Sequence, residues 1–192
     1  GAHALGQISL DLKGLGATFY VANAHKWLCA PKGCAVLFVD SKWRDLIHPP
    51  VISHGYGAGF VAQFDWSGTD DPTAWLCAPH AIAMHHEMGG ALLRQAHHDL
   101  VQFGRSTIAS ELHVELPHPD EPNLYGSMAT IPLPCEVEHV PQLFRQIREE
   151  DGIEVPIIAW DNRAWTRISG FAAYNTEEQY VRLAHALRRR LI

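Results

Sequence analysis

The chain has 192 residues, 15 basic against 21 acidic, and so carries a net charge of −6 with histidine neutral. That balance excludes the basic face or stripe of a nucleic-acid binder, and 47% hydrophobic with 19% charged residues excludes a disordered chain. No run reaches the roughly 18–20 apolar residues of a membrane span and the opening is no signal peptide, so a cytoplasmic location with Cys29, Cys34, Cys77 and Cys135 reduced is the expectation.

Residues 8–12 alternate apolar and polar, the pattern of a short strand or extended segment. After a Gly14-x-Gly16 turn come two continuous apolar runs, 17–22 and 34–39, whose composition suits strands buried on both faces, as in an α/β sheet. Residues 40–72 are rich in Gly, Pro and aromatics and read as a long irregular connection, centred on His54-Gly55-Tyr56-Gly57. From Pro72 to Leu112 the pattern is helical, broken at Gly89-Gly90, and 117–122 is a loop. Strands are predicted at 127–133, 153–158 and 164–169, with an amphipathic helix over 137–150. A last helix opens at Asn175-Thr176-Glu177-Glu178, where either polar residue could cap it, and closes on Arg188-Arg189-Arg190, whose cations complement the helix dipole.

The sharpest local signal is His25-Lys26 directly after an apolar strand. Open α/β sheets bind ligands outside the carboxyl ends of their strands, and a partly buried lysine there has a depressed pKa and can form a Schiff base. Spacing alone favours the plainer reading, a surface lysine on a loop. The histidine-rich stretch (His80, His85, His86, His97, His98) does not make a metal site: His86-Glu87-Met88-Gly89-Gly90 lacks the second histidine of His-Glu-x-x-His, and no Cys-x-x-Cys pair occurs. A solvated or interface-facing helix is the expectation for these histidines. Of the six tryptophans, most read as core or interface anchors, and Trp27 beside Lys26 is the one placed to matter for chemistry.

Taken together, several strings resemble the class V aminotransferase family of pyridoxal-phosphate enzymes, and within it the isopenicillin N epimerase-like branch. They are Gly1-Ala2-His3-Ala4-Leu5-Gly6-Gln7, then Asn23-Ala24-His25-Lys26-Trp27-Leu28-Cys29-Ala30-Pro31-Lys32-Gly33, and Gly68-Thr69-Asp70-Asp71-Pro72. Further on come Gly126-Ser127-Met128-Ala129-Thr130, Ile153-Glu154-Val155-Pro156, and Arg167-Ile168-Ser169 with Tyr174-Asn175. They occur in family order over nearly the whole chain.

The resemblance implies a role for each matching position. Lys26 is the Schiff-base lysine that also moves the proton at the substrate's α-carbon. His3 approaches the cofactor's phenolic oxygen, Asn23 and His25 lie near its phosphate, and Thr69 reaches the phosphate of the neighbouring subunit of a homodimer. Arg167 clamps the substrate's α-carboxylate, a bidentate task suited to its planar fork. Each has a plainer rival on its own residues. His3 could cap the first turn, and Asn23 and His25 could satisfy backbone groups. Thr69 could be an ordinary turn residue, and Arg167 could pair with Glu154 or Asp161.

The implied fold is α/β plus α+β, the C-terminal portion of a fold-type I enzyme. Residues 1–72 are then the remnant of the large cofactor-binding domain, 73–112 a linking helical segment, and 113–192 the small domain. In the family, the aspartate that pairs with the pyridine nitrogen, the ring stacked on the cofactor and the glycine-rich phosphate loop all precede the Gly-Ala-His string. The chain is therefore expected to be part of a catalyst and not a competent one by itself. The parent reaction implied is epimerisation or transamination of an amino acid. Carbon–sulfur lysis stays open, whereas the desulfurase route does not, because no cysteine lies between Pro141 and Arg167. The rival reading is a non-catalytic, self-associating fragment that does not bind pyridoxal phosphate productively.

Overall fold

The computed structural model describes residues 1–121 and 123–192, and the chain forms two compact units, Gly1–Gly90 and Ala91–Ile192. The division falls inside the 73–112 stretch. Of the predicted loop 117–122, residues 117–121 are irregular and Pro122 lies outside the described residues.

In the first unit, β1 (Phe19–Asn23) and β2 (Ala35–Val39) form a two-stranded antiparallel sheet, with Phe19 opposite Val39 and Asn23 opposite Ala35. This corrects the expectation of strands buried on both faces. Phe19, Val21, Val36 and Leu37 are exposed. An apolar run records what a strand can bury, not what covers it, and within this unit the sheet has only its two strands.

The alternating segment 8–12 joins no sheet. The Asp11 carboxylate accepts from the N–H groups of Lys13 and Gly14 at 3.1 and 3.0 Å, a local turn that competes with strand pairing. The irregular connection contains a 3₁₀ turn at Ser41–Trp43 and a short helix, α1 (Phe60–Asp65). Buried Gln63 holds this region together by donating to the Ile47 carbonyl at 3.0 Å and meeting His48 Nδ1 at 3.2 Å. Helices α2 (Thr73–Leu76) and α3 (Ala78–Glu87) follow, and Ala81 of α3 joins Ala24, Ala30 and Cys34 in a small core.

The second unit begins with α4 (Ala91–Leu112), after the predicted break at Gly89 and Gly90, whose φ values of +116° and +54° suit glycine. It continues with β3 (Met128–Leu133), α5 (Val140–Glu149), β4 (Ile157–Trp160), β5 (Arg163–Ser169) and α6 (Glu177–Leu191). The sheet order is β3-β5-β4, antiparallel throughout, with Met128 opposite Ser169 and Ile157 opposite Thr166. Asp161 and Asn162, at φ +48° and +53°, close the β4–β5 hairpin as a two-residue turn, the conformation these residue types tolerate best.

The strand predicted from Ile153 pairs only from Ile157, because Pro156 has no N–H to give the ladder. Its carbonyl instead takes the Arg167 N–H at 3.2 Å and the Thr166 hydroxyl at 3.1 Å.

The core lies between the sheet and its helices. Val101, Ile108 and Leu112 of α4 meet Ile131 and Leu133 of β3, Ile168 of β5, Leu143 and Ile147 of α5, and Leu183 and Leu187 of α6. Thr176 caps α6 in a reciprocal capping box with Gln179.

Two of the histidines correct the expectation of a solvated or interface-facing helix, while His80 and His86 are exposed as it required. His85 and His97 are buried. His97 sits between Leu93 and Val101 on the i, i+4 stripe of α4 that faces the core, and its Nδ1 accepts the Ala172 N–H at 2.9 Å.

Candidate active site

The turn after β1 builds the corner of the first unit that carries Lys26. Asn23 ends the strand, and the chain then folds back on itself. Ala24 N–H donates to the Cys34 carbonyl and Ala30 N–H to the Ala24 carbonyl, both at 3.0 Å. Cys29 N–H closes the tight bend on the Lys26 carbonyl at 3.1 Å, with Cys29 itself at φ +61°. Lys26 and Trp27 leave adjacent positions of this bend, Lys26 half-buried and Trp27 buried.

The N-terminal segment is pressed against the same bend. Gly6, at φ +80°, lies so close to Trp27 that a Cβ there would stand 2.6 Å from the Trp27 carbonyl carbon, so only glycine passes. The Gly6 carbonyl is held from the other side by Nε2 of buried His85 on α3, at 3.1 Å. His3 is thereby delivered to Lys26: His3 Nε2 lies 2.9 Å from Lys26 Nζ, and the Trp27 indole N–H donates to His3 Nδ1 at 3.3 Å.

The sequence-predicted positions divide by what the structure does with them. Lys26 and His3 come together, and His3 points at the lysine instead of capping the first turn. Half-buried Asn23 sits at the strand end, opposite Ala35. His25 makes a backbone contact from Nδ1 to the Cys34 carbonyl at 3.3 Å, the plainer of its two readings, which leaves Nε2 to face elsewhere. Thr69 is exposed after Gly68 at φ +131°, and no hydrogen bond among the described residues ties it to the Lys26 corner. Trp66 and Trp75, which flank it in sequence, are also exposed.

Arg167 lies in the second unit, on the face of β5 opposite to core-facing Thr166 and Ile168. Its structural rival fails: Glu154 pairs with Arg148 at 3.0 Å, and no carboxylate among the described residues bridges Arg167. Its Nε is buried and finds no hydrogen-bond partner there. A buried charged donor with no partner is an expensive arrangement, and a ligand carboxylate is the chemistry that would satisfy it.

Sequence reasoning missed His85, the residue that pins the His3 segment. The signal was present, since His85 follows Ala81 by four on the helix face that carries Ala78. Among the described residues no group of three His, Cys, Asp or Glu side chains is disposed to hold a metal ion, and no helix is long and apolar enough to cross a membrane.

The residues of this corner fit pyridoxal phosphate. A primary amine faces an imidazole within hydrogen-bond distance, at the end of a strand, with an amide side chain and a second imidazole on the same turn.

Comparison with known proteins gives the family and the fold. Residues 1–183 match the family model for aminotransferase class-V, and the chain belongs to that family of pyridoxal-phosphate-dependent enzymes. It is 31% identical to isopenicillin N epimerase from Streptomyces clavuligerus, over 97% of this chain and 50% of the relative. It is 28% identical to an L-cysteine desulfhydrase from Arabidopsis thaliana, over 97% of this chain and 45% of the relative. Among solved structures, the apo cysteine desulfurase from Thermococcus onnurineus NA1 superposes with a TM-score of 0.77 at 18% identity, covering 100% of this chain and 51% of that one. The fold is thus that of the C-terminal portion of a fold-type I enzyme, and the chain spans about half the length of the relatives it matches.

Proposed function

We propose that this chain carries the lysine half of the active site of a pyridoxal-phosphate enzyme acting at the α-carbon of an amino acid. The observation that carries the reading is the 2.9 Å approach of His3 Nε2 to Lys26 Nζ, made across 23 residues of sequence. When bound, the cofactor supplies the electron sink that makes an α-proton removable. Lys26 would hold it through Nζ, and the same amine is the base placed to take and return that proton. His3 would donate or accept beside the lysine, Asn23 and His25 Nε2 would serve the phosphate, and Arg167 would receive the substrate's α-carboxylate through its fork.

The reaction class is epimerisation or transamination, with carbon–sulfur lysis as a third outcome of the same proton removal. Similarity to an isopenicillin N epimerase and to an L-cysteine desulfhydrase supports a reaction that starts at the α-carbon. We assign the parent protein to the cytoplasm and to a homodimer in which Thr69 serves the neighbouring subunit's phosphate. Exposed Trp66 and Trp75 beside exposed Thr69 support an interface there.

The test is chemical. The chain has only four lysines, Lys13, Lys26, Lys32 and Lys42. After incubation with pyridoxal phosphate and borohydride, mass mapping should find the label on Lys26, and Lys26→Ala should abolish it. Labelling spread evenly over the four would instead favour the rival reading, a self-associating fragment, to which the exposed apolar residues of β1 and β2 lend support.

A further inference from the structure

Both ring nitrogens of His3 are engaged, and their partners are not equivalent. The Trp27 indole donates to Nδ1 at 3.3 Å, while Nε2 stands 2.9 Å from Lys26 Nζ. An indole N–H donates and never accepts, so Nδ1 must present its lone pair. A neutral imidazole then carries its one proton on the other nitrogen, and that nitrogen faces the amine.

We propose that Trp27 is a positioning residue that acts through His3: by donating to Nδ1 it fixes the ring as the Nε2–H tautomer, which sets the ring nitrogen and the proton that face Lys26 Nζ. The geometry supports this from three directions. Lys26 and Trp27 leave neighbouring positions of one bend, so their side chains are set by the same backbone. The close approach of Gly6 to the Trp27 backbone and the His85–Gly6 contact hold the His3 segment in place. Trp27 is buried, 8% exposed, so water does not compete well for its N–H. The use made of the positioned amine rests on the cofactor reading above; the hydrogen-bond pattern stands without it.

The experiment records long-range proton–nitrogen correlations on the ¹⁵N-histidine-labelled chain with no cofactor present. The His3 ring is identified among the thirteen histidines by its loss in His3→Gln. Trp27 is then replaced by benzothienylalanine, which keeps the bicyclic shape and exchanges the N–H for sulfur, with Trp27→Phe as the genetically simple companion. The wild-type ring should show a protonated Nε2 and a lone-pair Nδ1. In the benzothienyl variant the two nitrogen shifts should move toward one another as the second tautomer is populated, while histidines away from the turn keep their shifts and report an intact fold.

A protonated Nδ1 in the wild type, or an unmoved His3 ring in the variant, overturns the proposal. Labelling by pyridoxal phosphate and borohydride at neutral pH gives the second readout. The rate at Lys26 should fall in the variant while Lys13, Lys32 and Lys42 are unchanged, and equal selective rates in both proteins overturn the positioning role. If the nitrogen shifts behave as expected but Lys26 is never selected in the wild type, the tautomer assignment is upheld and the cofactor reading is what fails.

Discussion

The ring of Tyr180 on α6 lies against the backbone of α4 at Gly104, where a Cβ would stand 2.6 Å from Cδ1. The contact sets the distance between two helices that pack side by side over the core of the second unit. A methyl group there would favour the helix by about 1 kcal/mol through propensity alone. It would also force the Tyr180 ring and the Ile168 side chain, 2.9 Å from the same point, to move. Overpacking of this kind costs roughly 1–3 kcal/mol and here outweighs the propensity gain. Gly104→Ala should therefore lower the urea midpoint; a raised midpoint would mean the helices separate freely.

Tyr180 also makes the second unit sensitive to alkali. Its hydroxyl donates to the Ser169 carbonyl at 2.7 Å. Burial first, and the neighbouring Tyr174 charge second, push its pKa up from 10.0 to about 12. The folded state therefore holds the phenolic proton more tightly than the unfolded chain. The associated stability is complete below pH 10 and is lost as the pH rises from about 10 through 12, roughly 2–3 kcal/mol in all. Tyr180→Phe should flatten that part of the stability profile and lose about 1 kcal/mol at neutral pH with the hydrogen bond. Denaturant titrations at pH 8 to 12 would separate the two effects.

The fold and site were legible in the sequence to the extent that local chemistry decided them. The Gly89-Gly90 break, the capped α6 and the strand carrying Arg167 follow from propensity and pattern. β1 and β2 were found as strands but not as an open antiparallel pair, because an apolar run does not reveal what lies over it. The late start of β4 depends on the one missing N–H of Pro156. Lys26 and His3 were each identifiable by resemblance, but the contact between them runs through Gly6, Trp27 and His85, and long-range packing of that kind leaves no periodic trace. His97 was readable in hindsight from its place between Leu93 and Val101, where the residue type misled and the spacing did not.

Cys29 carries the bend after Lys26 in a left-handed conformation, φ +61°, without being glycine. Such a residue costs roughly 1–2 kcal/mol relative to the right-handed region. Glycine would remove that cost but lose about 0.4–1 kcal/mol to the greater freedom of the unfolded chain. Cys29→Gly should leave the first unit as stable or more stable by up to about 1.5 kcal/mol. The selectivity of borohydride labelling at Lys26 should survive, since the Cys29 N–H bond to the Lys26 carbonyl at 3.1 Å remains and only the long thiol contact to the Trp27 carbonyl, 3.8 Å, is lost. A loss of selectivity would show that the side chain itself shapes the corner.

Two ion-pair groups in the second unit should differ sharply in weight. Arg148 and Glu154 meet at 3.0 Å, yet their side chains are 59% and 72% exposed, and water and salt screen such a pair. Asp151 is only 10% exposed and accepts from Arg189 at 2.9 Å and from Arg190 at 3.2 Å. Its backbone carbonyl takes a further bond from Arg182, so one residue ties the end of α5 to three arginines of α6. Removing its carboxylate leaves partly buried Arg190 with the Glu150 pair at 2.8 Å as its remaining acidic partner. Asp151→Ala should destabilise by about 2 kcal/mol or more, as lost charge-assisted bonds do. Arg148→Ala should stay under about 1 kcal/mol and vanish in high salt. Urea melts of both variants at low and high ionic strength decide it: a larger loss for Arg148→Ala would mean that exposure does not rank these pairs.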